Sequence, residues 1–467
     1  MKYKYIFFLI LSLGASVNVF GSDATPQAVQ QIQTGFSIVS IVRGLLGLAL
    51  LLALGFVLSK NRRAIKWRAI FYALIIQFGI ALMVLNLPFM QIFFEFLGKV
   101  FIKILQSSNA GSEFLFRGLG TGEVHEGMIN FAFRILPTII FFSALTSVLF
   151  YYGIIQVVVR FMAWLLSKAL NLSGSESLAA TSNIFLGQTE APFLIKEYLP
   201  KMNLSELMLV MVAGMATIAG GVMAIYIGLL GGADPASQVL FAKHLITASV
   251  MAAPGAVVAS KILVPQTDPI ESEVKVTKEQ VGTNILDAIA NGTGQGLKLA
   301  VNVAAMLLVF LAFIYLINFI LLKIGGWTNI NDFIMVQTSG RYDQLSLQFI
   351  LGIIFAPLVW LLGVPTADMA VVGQLFGEKI ILNEMVAYVS LKDLININSF
   401  HDQKSIIMIT YMLCGFANFS SIGIQIGGIG ALAPNQRTNL AKLGFRALVG
   451  GAMASLISAT MIGMFIK

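Results

Sequence analysis

Two carboxylates in this chain sit where carboxylates are expensive. Glu190 lies in the apolar stretch Thr181 to Ile195, and Glu384 lies in the stretch Gly377 to Leu391. A charge at bilayer depth costs about 2.5–3.5 kcal/mol on insertion scales, so such groups are mostly kept for function. Left unpaired, the two together cost about 5–7 kcal/mol. Beside Glu190, Gln188 and Thr189 add groups of different donor and acceptor character, a set that suits the edge of a planar ligand carrying amides and ring nitrogens. Glu384, next to Asn383, can accept two hydrogen bonds from neighbouring hydroxyls, as on a sugar. Asn418 and Ser421 share one face of a helix and add an amide and a hydroxyl to it. The plainer reading has each glutamate capping a helix or pairing with a nearby lysine.

Asn183 and Thr217 offer oxygen atoms that, with carbonyls freed where helices break, can hold a small hard cation such as sodium. Other reactive residue types carry less. Cys414 is the only cysteine, so no intrachain disulfide forms, and a small buried cysteine commonly just packs. His125, His244 and His401 lack metal-ligand spacing and read as structural. Gly423, Gly427, Gly428 and Gly430 are compatible with a helix break or a close helix contact, close packing being the plainer reading. There is no P-loop lysine motif, no Ser/His/Asp order and no His/Cys cluster, so neither ATP-driven transport nor hydrolysis has support.

The elements that position these residues are membrane helices. Hydrophobic residues make up 57% of the chain and charged residues 11%, against about 25% charged in a soluble domain. The mean hydropathy is +0.86. Apolar runs such as Gly35 to Ser59 approach the ~20 residues needed to cross a bilayer and lack the alternation of barrel strands, which implies an all-α integral membrane protein. The net charge of +8 gathers in short loops, without a basic groove interleaved with aromatics. It is an orientation signal and not a nucleic-acid footprint.

Lys2 and Lys4 precede a short apolar run that ends at Val19-Phe20-Gly21, so a cleaved signal peptide is expected over 1–21, leaving one membrane domain over 22–467 that begins with a polar outer segment, Ser22 to Thr34. Eight spans are expected. They run from about Phe36 to Leu58, Ile70 to Leu87, Phe131 to Tyr152, Glu206 to Leu230, Val239 to Val264, Leu299 to Leu322, Ser405 to Gln425 and Leu443 to Ile466. Between them lie an outer connection, Pro88 to Gly120; an inner interfacial helix, Ile154 to Leu170; an inner acidic loop with Asp268, Glu271, Glu273 and Glu279; and a weakly amphipathic segment, Asn284 to Lys298. A polar outer loop, Lys323 to Gln344, and a second segment of interfacial length, Phe349 to Val364, complete the connections. Lys60, Arg62, Arg63, Lys66 and Arg68 place the first loop in the cytoplasm, so both mature termini face outward.

The spacing also contains an inverted repeat. Met162-Ala-Trp-Leu-Leu166 and Leu358-Val-Trp-Leu-Leu362 each precede a polar-interrupted segment whose glutamate lies about 25 residues after the tryptophan. The first unit begins at the inner face and the second at the outer face, the plan by which secondary transporters place a substrate site near mid-membrane. The segment Ser177 to Leu199 is compatible with one straight span or with a hairpin that dips in and returns; irregular backbone at that depth must be buried in protein or line a cavity.

At these residues the chain resembles the concentrative nucleoside transporter family, from about Gly35 to the C-terminus. Gly187-Gln-Thr-Glu-Ala-Pro192, Asn383-Glu-Met-Val-Ala387 and Phe416-Ala-Asn-Phe-Ser-Ser421 carry the likeness. The resemblance implies a homotrimer whose protomers have eight spans, two re-entrant hairpins (about Ser177 to Leu199 and Thr366 to Leu391) and an elevator-type transport domain moving on a scaffold that includes spans one to three, 35–152. It assigns the nucleobase to Gln188, Thr189, Glu190 and Val222, and the ribose to Glu384, Asn418 and Ser421 with Phe416 nearby. Sodium falls to Asn183, the Leu186 carbonyl, Thr217 and the Ile218 carbonyl. Gly187-Gln188 looks like members that accept pyrimidines or both base classes. The expected function is sodium-driven nucleoside import across the cytoplasmic membrane, with no enzymatic activity and no cofactor beyond the coupling ion. Proton coupling through Glu190 or Glu384 is the near alternative, and an intramembrane enzyme acting on a nucleoside-containing lipid is the alternative of another class.

Overall fold

Inside a bilayer every backbone polar group needs a partner from the protein itself, and helices supply it within one segment. The computed structural model describes residues 35, 37–116, 136–232, 234–270, 282–338 and 340–466, which form α-helices joined by turns and short 3-10 segments. The expected leader, the outer segment to Thr34, His125 and the start of the third span lie outside the described residues.

Helices α1 (Ile38–Leu58) and α2 (Trp67–Asn86) are 21 and 20 residues long and match the first two expected spans. Their connecting loop is tied down by Arg62, which donates to the Phe56 and Val57 carbonyls, and by Lys60, whose N–H donates to Leu263 O at 2.9 Å. The expected outer connection is one helix as far as it is described, α3 (Pro88–Phe116). Helices α4 (Leu136–Tyr151) and α5 (Ile154–Leu170) meet at a 74° bend. Gly153 makes that bend with φ +76°, a backbone region that glycine enters without steric cost. Helix α5 has the bounds expected for the interfacial helix.

From α5 onward the chain repeats one plan in three dimensions. In the first unit α5 leads to α6 (Gly174–Ser182), an irregular stretch with a 3-10 segment (Ala191–Ile195), a broken pair α7 (Leu204–Ala216) and α8 (Gly220–Gly231), and the long α9 (Pro235–Leu263). After α10 (Ile285–Trp327) and α11 (Ile330–Gln337), the second unit runs α12 (Leu347–Leu361), α13 (Met369–Ile381), α14 (Glu384–Asn396), a broken pair α15 (Gln403–Leu413) and α16 (Phe419–Leu432), and the long α17 (Arg437–Gly463). The two breaks touch. Gly415 has φ +121°, and a Cβ there would come within 2.7 Å of the Met215 and Ala216 carbonyls at the end of α7, so only glycine fits both the conformation and the approach.

Several expected boundaries need correction. Of the two readings left open for Ser177 to Leu199, one straight helical span is excluded, because α6 stops at Ser182 after nine residues. Asn284 to Lys298 and the sixth span are one 43-residue helix, α10, which runs on into the expected polar loop. Its glycines do not break it, and two of them are contact points, since a Cβ at Gly292 or Gly296 would collide with the backbone of α4. Ser405 to Gln425 is the broken pair α15 and α16, each too short to cross alone. Among the described residues six spans are long and apolar enough to cross a membrane when α7 and α8 are taken together as one, and a seventh appears if α4 and α5 count as one bent span.

Candidate substrate site

The residues expected to take the sugar converge around one carboxylate. Glu384 is the first residue of α14, where the helix dipole favours a negative charge, and Asn383 caps that helix by accepting Val386 N at 2.9 Å. The carboxylate is buried, with 7% exposure. Its Oε2 accepts from Asn418 Nδ2 at 2.8 Å and its Oε1 from the Tyr226 hydroxyl at 3.3 Å. The side chain is therefore held across the fold by Asn418 and Tyr226, not by a lysine. Asn418 is itself the N-cap of α16, with Oδ1 accepting Ser421 N at 2.9 Å, so Asn418 and Ser421 do present one face.

The residues expected to take the base join the same chain of bonds at one point. Gln188 Nε2 donates to Ser421 Oγ at 3.1 Å, and Gln188 Oε1 accepts from Gln425 Nε2 at 3.1 Å. Gln425 Nε2 also donates to Met211 O at 3.0 Å, which fixes it to α7. The result is a connected polar array, Gln425, Gln188, Ser421, Asn418, Glu384 and Tyr226, drawn from the irregular stretch after α6 and from α8, α14 and α16. Buried networks of this kind rigidify a site because each member's alternative is an unmet hydrogen bond. Thr189 and Glu190 lie outside the array: Thr189 is exposed, and Glu190 is half-buried with the Gly187 N–H donating at 3.4 Å. Val222 is buried one turn before Tyr226 on α8, and the Phe416 carbonyl accepts Asn418 N at 2.9 Å.

The nominated cation residues lie in irregular backbone. Asn183 spends its Nδ2 on Ala179 O at 2.8 Å, while its buried Oδ1 has no partner. Thr217 and Ile218 occupy the α7–α8 break, where Thr217 Oγ1 donates to Ala213 O at 2.9 Å and keeps its lone pairs for another contact. Leu186 is in the stretch after α6, which is tied to the break by Gly220 N donating to Phe185 O at 3.1 Å. An orphaned buried acceptor beside broken helices makes a neutral oxygen set, which suits a monovalent cation. Among the described residues there is no cluster of three His, Cys, Asp or Glu side chains.

Sequence reasoning missed Tyr226, Gln425 and Lys379. Two of them were findable: Tyr226 is four residues after Val222, and Gln425 four after Ser421, so each shares a helix face with a nominated residue. Lys379 is fully buried and donates to Met412 O at 2.7 Å and Ser455 Oγ at 3.2 Å, satisfying a carbonyl freed near the α15–α16 break. Glu190 and Glu384 are also not the only carboxylates withdrawn from solvent. Glu176 is buried against Lys261, and Glu378 is buried with Gln374 donating to it at 3.2 Å. The bland readings fit His244, buried beside the Tyr411 hydroxyl at 3.3 Å; His401, paired with Asp368; and Cys414, buried near Ser249.

A helical membrane bundle whose repeated, broken helices close on a shared polar array has the architecture of a secondary transporter. Three consecutive stretches match family models: "Na+ dependent nucleoside transporter N-terminus" over 46–119, "Nucleoside recognition" over 132–233 and "Na+ dependent nucleoside transporter C-terminus" over 244–463. The chain is 36% identical to the putative nucleoside permease NupX of Escherichia coli, covering 91% of this chain and 99% of that one. It is 38% identical to sodium/nucleoside cotransporter 1 of Rattus norvegicus, over 90% of this chain and 63% of that protein. Among solved structures it resembles CNTnw in an inward-facing substrate-bound state, with a TM-score of 0.81 and 36% identity over 91% of this chain and 98% of that one. The chain belongs to the concentrative nucleoside transporter family. It is a multi-pass membrane transporter and not an enzyme.

Proposed function

We propose that this protein imports nucleosides across the cytoplasmic membrane, driven by the sodium gradient. The observation that carries the reading is the array from Gln425 to Tyr226, which aligns amide, hydroxyl and carboxylate groups along one buried path between the two broken helices. Glu384, Asn418 and Ser421 take the ribose hydroxyls, with Phe416 against the sugar; Gln188, Thr189, Glu190 and Val222 take the base, of the pyrimidine class or both classes. Sodium binds Asn183, Thr217 and the Leu186 and Ile218 carbonyls, a choice supported by the unpartnered Asn183 Oδ1 and by the sodium/nucleoside cotransport of the rat relative. Carrying one positive charge inward supplies about 2.3 kcal/mol per 100 mV.

In this reading α15 and α16 form one broken span, which brings the total to eight, and the stretches 177–199 and 366–391 are re-entrant hairpins on a mobile domain. The protein is a homotrimer with a cleaved leader and both termini outside. Ion binding orders the stretch between Asn183 and Glu190 and so raises nucleoside affinity, and nucleoside must raise sodium affinity by the same factor.

The test is uptake of labelled uridine and adenosine into proteoliposomes, with and without an inward sodium gradient. Accumulation that requires sodium supports the proposal. Uptake unchanged in choline but abolished with the pH gradient replaces sodium by protons. Equal nucleoside affinity at equilibrium with and without sodium removes the ordering mechanism.

A further inference from the structure

A cavity of about 710 Å³ opens beside the start of α2, at the end of the bundle that carries the basic loop between α1 and α2. It lies apart from the array around Glu384 and shares no lining residue with it. Its exposed lining residues are Lys66, Trp67, Arg68, Tyr72, Ala169 and Asn171. Its buried wall includes Leu170 and Leu172, from the end of α5 and the turn after it.

Charge in this cavity is unbalanced. Lys261 also lines it, but its ammonium group is fully used, donating to Glu176, to Ser205 Oγ at 2.9 Å and to Gln266 Oε1 at 3.2 Å. Glu176 and Lys261 cancel each other. Lys66 and Arg68 do not: among the described residues neither side chain has a hydrogen bond or ion pair. Among the described residues, then, two unpaired cations line a space whose remaining walls are largely apolar.

Three further properties select the ligand. Lys66 and Arg68 belong to the strongest positive cluster in the chain, which the positive-inside rule places at the cytoplasmic surface, where the leaflet is anionic. Trp67 and Tyr72 flank them, and these are the side chains that settle at headgroup level. The volume falls in the ~300–1,000 Å³ range of small-molecule sites, well beyond what a single inorganic anion fills. A free phosphate satisfies the cations but leaves Leu170 and Leu172 facing water. A phospholipid satisfies both.

We infer that this cavity binds one anionic phospholipid, its headgroup phosphate between Lys66 and Arg68 and its first acyl carbons against Leu170 and Leu172. The lining residues come from α2, from the turn before α6 and from the segment after α9, so an occupied site links three distant parts of the chain. Lipid that binds only the folded protein raises its stability in proportion to the logarithm of lipid concentration over Kd.

The experiment is a thermal-unfolding titration of the purified full chain in neutral detergent with phosphatidylglycerol, phosphatidylcholine or inorganic phosphate. The expected result is a saturable upward shift with phosphatidylglycerol alone. In K66Q/R68Q the apparent affinity falls about tenfold or more, as loss of two surface cations implies, while unfolding without lipid is unchanged. K60Q/R63Q removes the same charge from the same loop without touching the cavity and keeps the response. Ala169→Trp fills the cavity, leaves the cations in place and abolishes the response. An equal loss in both double variants assigns the effect to the general field of the loop and overturns the site. A shift of the same size with inorganic phosphate overturns the lipid assignment, and no shift with phosphatidylglycerol overturns the proposal.

Discussion

The two interrupted segments carry one site carboxylate each and treat it in opposite ways. Glu384 begins a helix, is buried, and receives Asn418 at 2.8 Å and Tyr226 at 3.3 Å. Glu190 sits in irregular backbone, is half-buried, and receives one main-chain N–H at 3.4 Å. A desolvated carboxylate needs hydrogen bonds wherever it is. The second repeat supplies them from the protein, whereas the first leaves most of them to whatever binds. On the proposed assignment, the sugar side is preorganised and the base side is completed by ligand. This division follows from local structure: α13 and α14 are regular helices meeting at a capped junction, while α6 gives way after nine residues to turns.

The largest test is Glu384→Gln. It withdraws the charge from two hydrogen bonds, each worth about 1.5–3 kcal/mol when charged, and places an amide against the Asn418 donor. Nucleoside uptake in proteoliposomes is expected to fall by about 100-fold or more, and the unfolding temperature of the empty protein to change as well. A loss below tenfold removes Glu384 from the centre of the site. Glu190→Gln is the sharper comparison. With only a long main-chain bond at stake in the empty protein, its unfolding temperature should stay at the wild-type value, while nucleoside affinity measured by calorimetry falls roughly 10- to 100-fold, the cost of one charged contact. If the empty Glu190→Gln protein loses as much stability as Glu384→Gln, the contrast between the two repeats is false.

How much of this was legible in the sequence differs by element. Glu384, Asn418 and Ser421 were legible because each is a polar residue in an apolar run, and spacing alone put two of them on one face. The repeat was legible because tryptophan motifs and glutamates recur in order. The break at Thr217 to Ala219 was not, since residues 206–230 read as one apolar span; the Gly220 N–H freed there is met by the Phe185 carbonyl and Gly415 packs against the end of α7, contacts far apart in sequence. Continuity of α10 was hidden for the opposite reason. Gly292, Gly294 and Gly296 resemble breakers, and only the packing of α4 against two of them explains why the helix continues. Lys379 was missed because its partners, the Met412 carbonyl and Ser455, come from α15 and α17.

The smallest effect belongs to Tyr226→Phe. The substitution keeps the ring, and with it the stack on Tyr388 at a centroid separation of 4.0 Å. It deletes only the hydroxyl, whose bond to Glu384 Oε1, at 3.3 Å, is long beside the usual ~2.7–2.8 Å for an O–H donor to oxygen. A weak bond of this kind contributes about 0.5–1.5 kcal/mol, so the KM for uptake should rise about two- to tenfold with the maximal rate preserved. The direction discriminates between two accounts of Glu384. If the Tyr226 hydroxyl holds the carboxylate in place for the sugar, affinity falls. If it instead competes with a ligand hydroxyl for Oε1, affinity rises, and the sugar side is then no more preorganised than the side of Glu190.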